Sequence, residues 1–401
     1  MNKQHYIVAA LAVTLSSGVV ANDNGVDEDS LFGSDEASEE LMFGSEDDEG
    51  DLFADGLLSE SEGEEIDLSV EFLQGEEAYA LNGDFTLAGT TTRNDYLATG
   101  KTTSDVINAS GTVTMDARPS ASLRALVKAD YSVDQDTSDT SLREAFVDWT
   151  IGESWYTRTG KQVMHWGVGY FYSPADLINS DSIDAADPEA DRKGTEAVKL
   201  HYPTGNDNYY AYLVPQTGSS NNAVGLKGEW LIDQNELTMA TVSRPSGHNS
   251  LAMTYYVPSS EVDFFAEYVM HQGLVSSLHN SSDWVSQATL GASYAFSEDD
   301  DYAISMRAQY YDDGVAENQY TAVNLRWASI YQSDYTLSLT SLNNTTDDST
   351  LNKASLSYRY SDDVKATFTY SNADGDIGDE YSRAGAGDSV SLKVTFWQRE
   401  Y

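Results

Sequence analysis

Val390-Ser391-Leu392-Lys393-Val394-Thr395-Phe396 alternates apolar and polar side chains without a break, and that alternation decides the fold. Successive side chains of a strand point to opposite faces, so a period of two builds one apolar and one polar face. The pattern recurs upstream. Val364, Ala366, Phe368 and Tyr370 alternate with Lys365, Thr367 and Thr369. Tyr302, Ile304, Met306, Ala308 and Tyr310 alternate with Ser305, Arg307 and Gln309. Leu123, Ala125, Val127, Ala129 and Tyr131 alternate with Ser122, Arg124 and Lys128. Runs of this kind fill the chain from Asp84 to Trp397, separated by Gly, Asn, Asp, Ser and Pro clusters.

Eighteen candidate strands can be counted, the first near Asp84, the second near Val106 and the last near Ser389. Sixteen is the alternative count. Short links such as Ile151–Ser154, Ile232–Asn235 and Tyr360–Asp363 take turns with longer ones such as Leu97–Asp105, His271–Asp283 and Asn372–Asp388. A soluble sandwich has no reason to alternate its loop lengths. A transmembrane β-barrel does, because short periplasmic turns alternate with long outer loops. The expectation is an all-β fold, a single antiparallel barrel over 78–401. Closure pairs every backbone group and leaves no edge in hydrocarbon.

The segment before the barrel differs. Residues 1–21 read as a secretory signal peptide: Lys3, an apolar core from Ile7 to Leu15, and Val19-Val20-Ala21 as a small-residue cleavage site. Residues 22–77 hold 22 carboxylates and no basic residue, which is half of the net charge of −44. Such a composition predicts a disordered periplasmic segment. Inside it, Leu31-Phe32-Gly33-Ser34, Met42-Phe43-Gly44-Ser45 and Leu52-Phe53-Ala54-Asp55 form a small repeat whose phenylalanines could anchor a partner. The overall acidity excludes nucleic acid as a partner. With no cysteine, disulfides and thiolate metal sites are also excluded. No histidine pair has metal-ligand spacing, and the Ser and His neighbours (His248 beside Ser250, His271 near Ser276) are of the kind that polar loops produce by chance. Neither a cofactor, a metal nor an enzymatic activity is expected.

The signal peptide, the alternating strands and the amphipathic last strand ending in Phe396-Trp397 resemble bacterial outer-membrane porins. So do Leu142-Arg143-Glu144-Ala145-Phe146-Val147-Asp148-Trp149, Gly160-Lys161-Gln162, Trp166-Gly167 and Ser173-Pro174-Ala175-Asp176, which are similar to stretches in porin-like barrels. The resemblance implies the Gram-negative outer membrane, contact with its lipid, and a final strand read by the barrel assembly machinery. It also implies transport of small polar solutes and a homotrimer. Gln398-Arg399-Glu400-Tyr401 extend past the usual ending.

Strand parity assigns the lumen. Arg124, Lys128, Arg307, Arg326, Lys353, Arg359, Lys365 and Lys393 share inward parity, while Glu144, Asp148, Glu229, Asp263 and Glu267 fall mainly on other strands. One wall is therefore expected to be basic, which favours anionic solutes. The longest link, about His165 to Lys193, is the third outer loop and carries Asp176, Asp181, Asp184, Asp187, Glu189 and Asp191. By resemblance the third loop folds inward and narrows the channel. Its carboxylates are then expected to face Arg124, Arg307, Arg326 and Arg359 across a constriction, with Ser173-Pro174-Ala175-Asp176 opening a short helix. The competing reading is a plugged or narrow barrel serving as adhesin, receptor or anchor. The acidic segment joins the first strand from the periplasmic side, so it could also enter a basic lumen.

Overall fold

The computed structural model describes residues 79–398, apart from breaks at 97–99, 153, 180, 216–221, 245–248, 260–261, 274–278, 280–282, 299–301, 332 and 383–386. The leader 1–21, the acidic segment 22–77 with Phe32, Phe43 and Phe53, and Tyr401 lie outside the described residues.

Eighteen strands form one sheet. They are β1 (Tyr79–Tyr96), β2 (Gly100–Ser120), β3 (Leu123–Val133), β4 (Ser138–Ile151), β5 (Trp155–Gln162) and β6 (Thr195–Thr204). There follow β7 (Asp207–Val214), β8 (Ala223–Ile232), β9 (Asn235–Ser243), β10 (Asn249–Val257), β11 (Val262–Gln272) and β12 (Trp284–Glu298). The last six are β13 (Tyr302–Asp313), β14 (Asn318–Ala328), β15 (Tyr335–Asn344), β16 (Ser349–Ser361), β17 (Val364–Asp374) and β18 (Gly387–Gln398). Each strand pairs antiparallel with its sequence neighbours, and β1 pairs with β18, closing the ring. At the seam Thr86 Oγ1 and Thr395 Oγ1 are 3.1 Å apart, and the Phe85 and Phe396 rings pack at 6.1 Å between centroids.

The alternation of side chains sorts them onto two faces. Leu87, Val127, Leu290, Met306, Leu356, Phe368 and Leu392 are large, apolar and exposed on the outside. A continuous belt of this kind is unfavourable in water and matches hydrocarbon. Outward aromatic pairs, Trp155–Tyr202, Tyr209–Trp230 and Tyr335–Tyr358, gather near the short-turn end, at ring separations of 4.6, 6.1 and 4.7 Å. They form the aromatic girdle of a membrane interface.

The two ends differ in their connections. Turns such as 205–206, 233–234 and 362–363 join strands at one end, where the longest link is 329–334. The other end carries 163–194, 273–283 and 375–386. One sequence expectation is corrected here. Leu97–Asp105 is not a long loop, since β1 and β2 continue as a ladder to Tyr96 and Gly100. Thr90, Thr91 and Thr92 lie opposite Val106, Asp105 and Ser104 in this stretch, and β-branched side chains favour extended backbone even when polar.

Candidate functional site

The inner face is not empty. Loop 163–194 is seated on it, and the seat is built around Glu267 of β11, which is 2% exposed. Its carboxylate accepts the backbone N–H of Val168 (2.6 Å), Gly169 (2.6 Å) and Ala175 (2.9 Å), together with the Ser173 hydroxyl (3.0 Å). Wrapping a backbone so closely around a carboxylate requires glycine. A Cβ on Gly169 would lie 2.1 Å from the Tyr172 carbonyl oxygen.

Two apolar clusters flank this knot. Met164, Trp166, Ala175, Leu177 and Ile178 of the loop pack on Tyr212, Val214, Ala223, Ala240, Val242, Ala252 and Val269, all buried, from β7 to β11. Phe171 packs on Ala322 and Leu342 of β14 and β15. Polar ties complete the attachment. Gln309 accepts the Phe171 N–H at 2.9 Å and donates to the Tyr172 carbonyl at 2.5 Å. Lys353 Nζ donates to the Ala186 carbonyl at 3.0 Å, and Lys227 Nζ to that of His165 at 3.1 Å. Arg244 donates to the Leu177 carbonyl. These apolar and polar contacts hold the loop from β7 around to β16.

Tyr172 reaches the outer loop 375–386, its hydroxyl 2.9 Å from that of Tyr381. Burial, and then the neighbouring hydroxyl, push the Tyr172 pKa up. Burial pushes that of Tyr381 up to about 12. Both stay neutral at any physiological pH, so the charge at this level comes from carboxylates and cations alone.

The loop carboxylates have different partners. Glu189 lies 3.9 Å from Arg307 and accepts the Tyr170 hydroxyl at 2.8 Å, while the Arg307 guanidinium covers the Tyr170 ring at 4.1 Å. Asp191 pairs with Arg143. Asp176 pairs with Arg192 of the same loop at 2.5 Å. Asp181 and Asp184 accept the backbone N–H of Lys193 and Ala186, and the Asp187 N–H closes a turn on the Asp184 carbonyl.

The basic residues divide in the same way. Arg124 is 5% exposed and held by Asp116 at 2.9 Å rather than by the loop. Lys128 lies 3.9 Å from Glu144. The others form rows across the inner face of β13 to β18, read from the strand registers. Arg307 and Lys353 share one row with Asn324, Thr340 and Ser371. Arg326 stands in the next row with Ser305, Ser338, Ser355, Thr369 and Ser391. Lys393 follows with Ser357 and Thr367, and Arg359 opposes Lys365 in the last row, with Thr395 and Thr86 beside them. Arg326 and Arg359 therefore lie below the loop, toward the short-turn end.

Sequence reasoning missed Arg143 and Arg158. A register shift between Lys128 and Ala129 leaves Arg143 as an extra residue in β4, so it turns inward beside Glu144 and pairs with Asp130 at 2.5 Å. Arg158 pairs with Asp148 at 2.7 Å and lies 4.0 Å over the Phe146 ring. The role of Glu267 was also unread. Its signal was present, since it stands between Phe265 and Val269 on one face of β11, where a carboxylate flanked by apolar side chains needs donors from elsewhere.

No helix begins at Ser173. Only a turn forms, with the Asp176 N–H on the Ser173 carbonyl, because Glu267 takes the Ser173 hydroxyl and the Ala175 N–H that would have capped a helix. His271 meets Ser250 at 2.9 Å and Gln287 at 2.9 Å, but the serine is 1% exposed beneath Arg244. Among the described residues no cluster of metal-ligating side chains occurs.

A cavity of about 240 Å³ lies between the loop and β18 and β1 to β4, with Asp84, Asp130, Asp139 and Asp191 beside Arg143 and Lys393 in its lining. A closed barrel of eighteen antiparallel strands, polar inside and apolar outside, with one long loop seated within it, decides the comparison. The fold is that of outer-membrane porins. OccK2 (OpdF) of Pseudomonas aeruginosa superposes with a TM-score of 0.54 at 11% identity, over 79% of this chain and 97% of that one. A BenF-like porin from Pseudomonas fluorescens gives 0.55 at 8%, over 80% and 99%. OccK2 in complex with glucuronate gives 0.55 at 10%, over 80% and 98%. No family model and no curated protein matches the sequence.

Proposed function

We propose that the chain is an outer-membrane channel for passive diffusion of small polar solutes, with anions favoured and loop 163–194 as its constriction. The observation that carries this reading is the stepped set of cations on the inner face of β13 to β18. In four successive rows stand Arg307 and Lys353, Arg326, Lys393, and Arg359 with Lys365. Ser and Thr hydroxyls fill the positions between them. Arg359 and Lys393 are exposed to the interior, so water reaches them. Rows two residues apart are about 7 Å apart, so an anion can exchange one cation for the next without full rehydration. At the constriction Glu189 faces Arg307 and Asp191 faces Arg143, a pairing of opposite charges whose field orients dipolar solutes. A sugar acid such as the glucuronate bound by OccK2 combines a carboxylate with hydroxyls and fits a wall of this chemistry.

In this reading residues 1–21 direct export and 22–77 remain periplasmic. The last strand carries the assembly signal, and the apolar belt meets lipid or sister copies in a trimer. The test is reversal potential in planar bilayers. Replacing Arg326 and Arg359 with Ala should shift selectivity toward cations. Unmoved reversal potentials would remove the anion preference, and a wild-type barrel that passes no current would favour the anchor or receptor reading.

A further inference from the structure

We propose that the acidic segment 44–77 is a tethered occupant of the short-turn mouth, docking on the cationic inner wall formed by Arg359, Lys365 and Lys393. The segment carries 14 carboxylates and no basic residue. Among the described residues, β14 to β18 place no carboxylate on the inner face, and the inward Asp84 of the neighbouring β1 is turned to β2, where it accepts the Thr112 N–H. Arg359 and Lys365 stand directly opposite each other across the β16–β17 ladder. Two cations in that position raise the local positive potential, which attracts a polyanion.

Topology puts the tether at the right place. The segment runs into β1 at Tyr79, at the short-turn end, and β1 is the neighbour of β18, which is the neighbour of β17. Thr86 of β1 stands in the same row as Thr395, Lys365 and Arg359. That row is about 30 Å along the strand from Glu77. A random coil of 34 residues has a root-mean-square span of about 30 to 35 Å, which is long enough for the acidic stretch to reach the row. A tether whose span matches its target gives an effective concentration in the millimolar range. At that level even weak carboxylate contacts keep the site occupied, and a passing anion must displace them. The segment then acts as a built-in competitor, and its hold weakens as salt screens it.

The contact can be tested apart from conduction, on which the competitor role alone depends. The chain has no cysteine, so pairs can be introduced cleanly in the full-length protein. Ser61→Cys with Ser357→Cys places the second thiol on the inner face, in the row of Lys393. Ser61→Cys with Tyr358→Cys places it one residue on, facing outward. We expect the inner pair to cross-link at least about fivefold faster, and Arg359→Ser with Lys365→Ser to abolish the difference. Equal rates for the two pairs, or no cross-link in either, overturn the contact. In bilayers, changing the fourteen carboxylates to Asn and Gln should raise the low-salt current about twofold and have no effect in 1 M salt. An unchanged current through a conducting channel overturns the competitor role. A full chain that never conducts overturns the channel reading instead, and the cross-links still judge the contact.

Discussion

The wall from β7 to β11 and the wall from β14 to β18 are made of the same strands with the same period, yet they do opposite things. The first presents Tyr212, Val242, Ala252 and Val269 inward and is covered by the loop through buried apolar contact and one buried carboxylate. The second presents Ser338, Ser355, Thr367 and Thr369 with Arg326, Lys365 and Lys393 between them, and meets the loop near its outer end, at Ala322, Leu342 and Lys353. Closure and membrane insertion depend on the outward positions, which are apolar in both walls. The inward positions are therefore free to encode either a seat or a path.

The contrast is broken most severely at Glu267. Glu267→Ala leaves the amides of Val168, Gly169 and Ala175 without their acceptor, at about 1–3 kcal/mol each. The loop should leave its seat, seen as a severalfold rise in single-channel conductance and new protease cleavage between 163 and 194. A protected loop with unchanged conductance would mean that the apolar contacts suffice alone. Leu342→Ala removes the packing of Phe171 on β15 and should cost about 2–4 kcal/mol in urea unfolding from lipid vesicles, with less effect on conductance.

The polar wall is tested by adding a carboxylate. Ser338→Asp puts a carboxylate in the row of Arg326 and should lower anion preference by about two- to fivefold, with stability unchanged. A similar substitution facing outward, Leu339→Asp, should instead hinder insertion.

The smallest effect concerns Asp347 in the turn between β15 and β16. Burial works against its charge, but hydrogen bonds from the Glu380 N–H and from the Ser349 hydroxyl and N–H hold its pKa below the usual aspartate value. Its contribution is present above pH about 4 and is lost as pH falls through the lowered value. Faster hydrogen exchange of the Glu380 amide near pH 3 than at pH 5, after correction for intrinsic rate, is the expected sign.

The strands were legible because a two-residue period follows from the extended backbone itself, wherever no bulge interrupts it. Trp155, Thr195, Ala223, Trp284, Tyr302, Tyr335 and Val364 begin their strands where alternation begins. The placement of Arg143 was not legible, because a bulge reverses parity and leaves no mark in Leu142-Arg143-Glu144. The seat of the loop was equally hidden. Ser173-Pro174-Ala175 has the local chemistry of a helix start, and only a carboxylate 92 residues further on redirects its donors. Contacts of such sequence separation cannot be read from neighbours.

The seam between β1 and β18 sets the order of assembly. Its residues, Thr86 and Thr395, are 309 positions apart, whereas every other strand pairs with a partner next to it in sequence. Joining so distant a pair costs the most chain entropy and gives nothing until both strands exist. Local hairpins are therefore favoured early, and the ring closes last, once β18 is in place. Before that closure the sheet is open, and β1 and β18 each present an unpaired edge of backbone donors and acceptors.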